Sequence, residues 1–137
     1  MTAVALNYFT DFKLQLWLGK HNFNTNTFKL LLTNGAPSAA WTAISQATEI
    51  TAEHGYPSAG ISLTTSATAS GFVIVSYTLT ASGGTIGPFQ YSIIYNSSVG
   101  DSNNLVGWLD YGSAITMQDT QTNLWDFPAT LISPTWS

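Results

Sequence analysis

Phe89-Gln90-Tyr91-Ser92-Ile93-Ile94-Tyr95-Asn96 and, after a polar segment, Leu105-Val106-Gly107-Trp108-Leu109-Asp110-Tyr111-Gly112 form the stretch that decides the fold. Both runs are rich in β-branched and aromatic residues, the side chains that fit a pleated surface. The segment between them, Ser97–Asn104, is built of Ser, Gly, Asp and Asn around a single valine. Two apolar runs joined by such turn formers predict an antiparallel hairpin with a long loop. Successive residues of a strand point to opposite faces. Ile93 and Ile94 are adjacent and both apolar, so the first run is expected to be covered on both faces, as inside a sandwich. Trp108 and Tyr111 bring large apolar area to the second run.

Working outward, Gly83-Gly84 turns the chain before this hairpin, and Phe72–Thr80 precedes the turn. That segment alternates, with Val73, Val75, Tyr77 and Leu79 on one face and Ile74, Ser76, Thr78 and Thr80 on the other, which predicts one continuous strand. Thr27–Thr33, centred on Leu30-Leu31-Leu32, predicts another, ended by the turn residues Asn34–Ser38. Ile61–Ala69 reads as a Thr/Ser-rich strand with one solvated side. Ser113–Met117 is expected to continue the second hairpin strand past Gly112 through a kink or bulge. Asp119–Gln121 is a turn, Asn123–Phe127 a strand ending at Pro128, and Thr130–Ser133 a last short strand. Residues Asn7–Leu18 are ambiguous: Phe9, Phe12 and Leu16 share a helical face, whereas Phe12, Leu14, Leu16 and Leu18 alternate. Capping by Asn7 or Thr10 and a stop at Gly19 favour helix. Frequent turn signals and about seven or eight strands predict a single mainly-β domain over residues 1–137. Its expected architecture is an antiparallel β-sandwich, jelly-roll-like, with one short N-terminal helix.

Composition narrows the function. Charged residues make up 7% of the chain, against roughly 25% in an average soluble domain. Ser, Thr and Asn supply the polarity instead, which fits a protein that spends its life docked on something or in a multi-copy assembly, or a secreted β domain. The only basic residues are Lys13, Lys20 and Lys29, and the net charge is −4. Three scattered lysines make no positive patch for phosphates or anionic lipid, so neither nucleic acid nor membrane is an expected partner. With no cysteine, thiolate chemistry and disulfides are excluded. No apolar run approaches the ~20 residues of a membrane span, and Met1–Leu6 lacks the basic start and long apolar core of a secretory signal.

Candidate chemical sites are weak. Glu49, Glu53 and His54 would share a neighbourhood, yet they lack the His-rich three-ligand pattern of catalytic zinc, and a solvated acidic loop accounts for them. Asp101-Ser102-Asn103-Asn104 lacks the fixed spacing and terminal Glu of a calcium loop. Gly83-Gly84-Thr85-Ile86-Gly87 has no Lys-Ser/Thr after it, so turn glycines explain it better than a phosphate loop. His21 and His54 are the only conventional bases, with no nucleophile motif beside them. Asp110 and Asp126 read as structural carboxylates rather than a glycosidase pair. No enzyme, metal or cofactor is expected. Trp17, Trp108 and Trp125 lie in apolar runs and are expected in the core. Trp136 is placed instead to anchor a partner.

Several motifs recur together: Phe23–Pro37 after a short aromatic segment, Ala47–Ile50, Leu79–Tyr91, Ile94–Asn96 and Leu105–Ser113. In this order they resemble small structural proteins of tailed bacteriophages, over nearly the whole chain. The ending departs from that pattern, with Asp126-Phe127-Pro128-Ala129-Thr130 and the tail Ser133–Ser137. The resemblance implies a capsid decoration, or cement, protein on the outer surface of the virion, bound to a shell of major capsid protein and stabilising it. The alternatives are a tail, fibre or baseplate component, or a carbohydrate-binding module contacting glycans. As a decoration protein it is expected to act as a homodimer or homotrimer bridging capsomers. Because termini are freest to reach a neighbour, the expected contact residues are Val4, Leu6, Tyr8, Phe9 and Trp136.

Overall fold

The computed structural model describes residues 6–69, 71–100, 102–125 and Phe127. The predicted hairpin is its centre: β7 (Ile86–Asn96) pairs antiparallel with β8 (Leu105–Met117), Ile93 opposite Trp108 and Tyr91 opposite Asp110. On the far side of β7 lies β2 (Phe28–Thr33), followed by the short edge strand β3 (Ile61–Leu63); β1 (Asn7–Tyr8) flanks β8. The sheet order is β1-β8-β7-β2-β3. Two antiparallel ribbons accompany it, β4 (Thr65–Thr68) with β5 (Gly71–Ile74), and β6 (Tyr77–Thr80) with β9 (Thr122–Trp125). The protein is therefore mainly β, with antiparallel sheets and one short helix near its N-terminus, α1 (Thr10–Trp17).

The layers follow from the alternation of side chains. Leu30, Leu32, Ile94 and Val106 on one face of the main sheet share a core with Phe72, Ile74, Leu79 and Trp125 from the ribbons and with Phe12 of α1. On the opposite face, Leu31, Ile93, Tyr95 and Leu105 pack with Phe9 and are covered by Trp41, Ile44 and Ala47 from the long excursion between β2 and β3. Ile93 and Ile94 are both fully buried, one in each layer. Full burial of such a side chain contributes about 1.5–3 kcal/mol, so this one dipeptide helps hold both layers to β7.

Helix α1 starts two residues later than capping by Asn7 would allow. Asn7 and Tyr8 are held against β8, and the Phe9 N–H still donates to the Val106 carbonyl at 3.2 Å. The chain is thus kept extended up to Phe9, which becomes the N-cap without a side-chain capping bond. The predicted stop at Gly19 is realised by a Schellman pair: the Gly19 N–H donates to Leu16 O (3.1 Å) and the Lys20 N–H to Gln15 O (2.9 Å), with Gly19 at φ +77°.

Two expected strands are broken. Thr64 separates β3 from β4, and Val75-Ser76 separates β5 from β6. The Val75 N–H bonds the Thr64 carbonyl at 2.9 Å, so both breaks occur at one crossing point. Phe72 and Ile74 point inward before it and Leu79 after it, while Val75 is 54% exposed. The single alternating face of Val73, Val75, Tyr77 and Leu79 is corrected accordingly. The two segments belong to different ribbons, and the break shifts the inward parity by one. The expected strand Thr130–Ser133 lies outside the described residues.

The close approach of the β2–β3 connection to β2 demands a glycine at position 60. Gly60 has φ +98°, and a Cβ there would lie 2.5 Å from the Leu30 carbonyl oxygen and 3.2 Å from Leu31 Cα. Backbone cannot yield as a side-chain tip can. Gly60→Ala is expected to destabilise the domain by about 2 kcal/mol or more, read as a drop of several degrees in a thermal melt. Gly100→Ala, with open space around it, is expected to leave the melt within about 1 kcal/mol of wild type.

Candidate functional site

Glu49, His54 and Asp110, named from sequence, are engaged in building loops. Glu49 Oε1 accepts the Tyr56 hydroxyl at 2.9 Å, and the Tyr56 oxygen accepts the Leu32 N–H at 3.0 Å. Together they pin the β2–β3 excursion to the sheet. Burial pushes the Tyr56 phenol well above its ordinary range. His54 Nδ1–H donates to the Thr85 carbonyl at 2.8 Å, with Glu53 3.8 Å away. A Cβ on Gly84 would sit 2.5 Å from His54 Nε2, so the glycine turn makes room for this imidazole. Among the described residues no three His, Cys, Asp or Glu side chains are grouped to hold a metal ion.

Asp110 closes the irregularity in β8. Between Tyr91↔Asp110 and Phe89↔Ile115 the register jumps, and β8 carries the surplus residues. Within that bulge Gly112 takes φ +82°. Asp110 Oδ1 accepts the Gly112 N–H at 2.8 Å and Gln90 Nε2 at 3.1 Å. Next to it, buried Ser92 Oγ accepts Trp125 Nε1–H (3.1 Å) and pairs with the Tyr111 hydroxyl (2.8 Å). These contacts satisfy polar atoms that Trp125 and Tyr111 bring into the core. The structure of Asp126 lies outside the described residues.

The polar hairpin loop is likewise used for stitching. Asn104 Oδ1 accepts the Ile44 N–H (3.1 Å), Asn104 Nδ2 donates to the Gly100 carbonyl (3.1 Å), and the Asn103 N–H donates to Thr42 O (2.7 Å). The loop thus holds the excursion that covers the Ile93 face.

Among the described residues, three of the large exposed apolar side chains gather on the outer side of α1. Leu14, Trp17 and the C-cap Leu18 are 52%, 67% and 65% exposed. Spaced i, i+3 and i+4, they form one apolar stripe. A cleft of about 410 Å³ borders it, lined by Thr10, Asp11, Leu14, Ala40 and Thr42. Trp17 is therefore not a core residue as its apolar run suggested, whereas Trp125 is; Trp108 is half-buried, 4.8 Å from the Phe9 ring. The signal was in the helical reading itself. Once Phe9, Phe12 and Leu16 are placed inward, positions 14, 17 and 18 must turn outward.

Of the contact residues expected at the termini, Val4 and Trp136 lie outside the described residues. Leu6 is half-buried, and its side chain lies 3.0 Å from where a Cβ on Gly107 would be. Tyr8 stacks on Phe12 at 5.8 Å, its phenol pushed up to about 12 by burial. Phe9 is 1% exposed. The expectation of a free arm is corrected at Phe9: β1 pairing draws it into the layer against Ile93, and a partner cannot reach it without opening that layer. Comparison with known protein families, with curated proteins and with solved structures finds no match.

If Asp110 acts only through the bulge, Asp110→Ala should cost about 1 kcal/mol by urea denaturation, the worth of a typical hydrogen bond. Asp110→Asn keeps an acceptor oxygen and should cost less than half of that. A larger loss for Asn than for Ala would rule out the bulge-closing role.

Proposed function

We propose that this chain is a non-enzymatic virion structural protein: a capsid decoration protein that binds the outer surface of a major capsid protein shell and stabilises it. The observation that carries this reading is the exposed stripe Leu14–Trp17–Leu18 on a domain in which Glu49, His54 and Asp110 are occupied in loop construction. The resemblance to small phage structural proteins supports it independently. A large aromatic flanked by leucines is the kind of anchor that dominates interface energetics. A ligand of the assembled shell that binds separated subunits less well favours the closed lattice. In a homodimer or homotrimer each copy holds its neighbour near a second site, so weak individual contacts suffice.

A second reading draws on Trp17 alone. An exposed indole can stack on a sugar ring, as in a tail component or a carbohydrate-binding module. The test combines shell binding with glycan binding. The double variant Leu14→Ala/Trp17→Ala removes largely exposed side chains, so it should still fold, as a circular dichroism spectrum will check. It is expected to lose at least tenfold in affinity for purified shells, consistent with an anchor worth about 2 kcal/mol. Undiminished shell binding would overturn the assignment of this stripe. Failure of wild type to bind shells, together with glycan binding abolished by Trp17→Ala, would favour the second reading. Val4 and Trp136 are retained as further contacts, tested by deleting residues 1–5 or by Trp136→Ala.

A further inference from the structure

Where α1 ends, it meets the end of β7 at a buried polar junction. His21 sits there, its ring 5.2 Å from that of Phe12 and 6.1 Å from that of Phe28. Asn96, the fully buried last residue of β7, determines which imidazole nitrogen carries the proton. Asn96 Oδ1 accepts the Ser98 N–H at 2.9 Å. The other end of the amide, Nδ2, therefore faces Asn26 Oδ1 (2.9 Å), His21 Nδ1 (3.2 Å) and the Lys20 carbonyl (3.4 Å). An amide nitrogen only donates. His21 Nδ1 is consequently an acceptor, and the ring proton lies on Nε2, which is buried with no partner among the described residues. A second proton has one place to go, Nδ1, where it would face the Asn96 NH₂ donor head-on.

We propose that this junction is an acid-sensitive latch: protonation of His21 breaks its contact with Asn96 and releases Lys20–Thr27, with the last turn of α1, while the β7–β8 hairpin stays formed. Part of the anchorage of this segment converges on the same groups, while Phe23 stacks on Phe28 and Phe72 and its carbonyl accepts the Thr65 hydroxyl at 2.8 Å, so opening frees these contacts as well. Asn26 Oδ1 accepts both the Asn22 N–H (2.9 Å) and Asn96 Nδ2, and the Thr27 N–H donates to Ser98 Oγ at 2.7 Å. The hairpin depends instead on the two apolar layers around Ile93 and Ile94.

The charged groups felt at the ring are Asp11 of α1, which favours protonation, and adjacent Lys20, which opposes it. Segments 22–28 and 96–98 contain no titratable side chain. Burial is the larger influence and holds the imidazole down to about 4. A released imidazole titrates near 6.5. The open form therefore binds a proton that the closed form refuses, beginning below pH 6.5. The closed form loses its advantage progressively down to about pH 4. This inference does not rest on the capsid reading.

The test is nuclear magnetic resonance on the wild-type chain with amide exchange at a series of pH values. At pH 7 the His21 nitrogens should report the Nε2–H tautomer. Between pH 6 and 4, after correction for intrinsic rates, amides of residues 20–27 should lose at least tenfold in protection before those of β7 and β8. His21→Gln can accept from Asn96 but cannot take up a proton, so it should remove this pH dependence. Four outcomes overturn the latch: an Nδ1–H tautomer at pH 7, His21 titrating near 6.5 with protection unchanged, simultaneous loss of all amides, or an unaltered pH dependence in His21→Gln. Should that variant not fold, the wild-type tautomer and the order of opening decide alone.

Discussion

β7 has to be covered on both faces, and the rest of the molecule answers to that requirement. Ile93 and Ile94 are consecutive, so no tilt of the strand can direct both to one side. One layer is supplied by regular elements: the β4–β5 and β6–β9 ribbons, with Phe12 of α1. The other is supplied by irregular chain, with Trp41, Ile44 and Ala47 of the β2–β3 excursion over Leu31, Ile93 and Tyr95. Irregular chain carries backbone groups that no ladder satisfies, and these must be tied down one at a time. Tyr56, Glu49, Thr33 and Asn104 do this, the Thr33 hydroxyl donating to the Thr48 carbonyl at 2.6 Å.

This explains the unusual polarity of the sequence better than solubility does. Asn22 Oδ1 accepts the N–H groups of Asn24 (3.0 Å) and Thr25 (3.2 Å), and Asn24 Oδ1 accepts that of Ala67 (2.9 Å) on β4. Asn96 and Asn104 do equivalent work on the inside. A carboxylate could accept the same bonds, but burying it would cost several kcal/mol of desolvation. A side-chain amide closes a turn without importing charge. Much of the Asn content is therefore backbone chemistry moved onto side chains.

The hairpin, its long loop and the bulge at Gly112 were legible because alternation and turn chemistry are local. Ile93-Ile94 was legible as a doubly covered strand because adjacency alone carries the information. The division of 72–80 was not, since Val75 leaves its face only through a hydrogen bond to Thr64, a residue of another strand. The start of α1 was hidden for the same reason: Val106 decides it by holding Phe9 extended. Trp17 illustrates a different failure. Membership of an apolar run says that a residue is hydrophobic, whereas the helical phase says which way it points. The phase, anchored on Phe9 and Phe12, turns Trp17 outward.

That outward phase is not forced by the stability of the helix. At eight residues, α1 is too short to persist on its own propensity, since isolated helices below about 12–15 residues are marginal. It is held by buried Phe9 and Phe12 at one end and by the Schellman turn at the other. Neither anchor constrains positions 14, 17 and 18. Polar residues there would leave the core contacts of α1 intact and would reduce exposed apolar area, which folded proteins ordinarily keep in small patches. Two leucines and a tryptophan on that stripe are the feature on which the proposed docking role rests. The domain builds many of its loops from neutral amides and hydroxyls and gathers three of its large exposed apolar groups on one short helix.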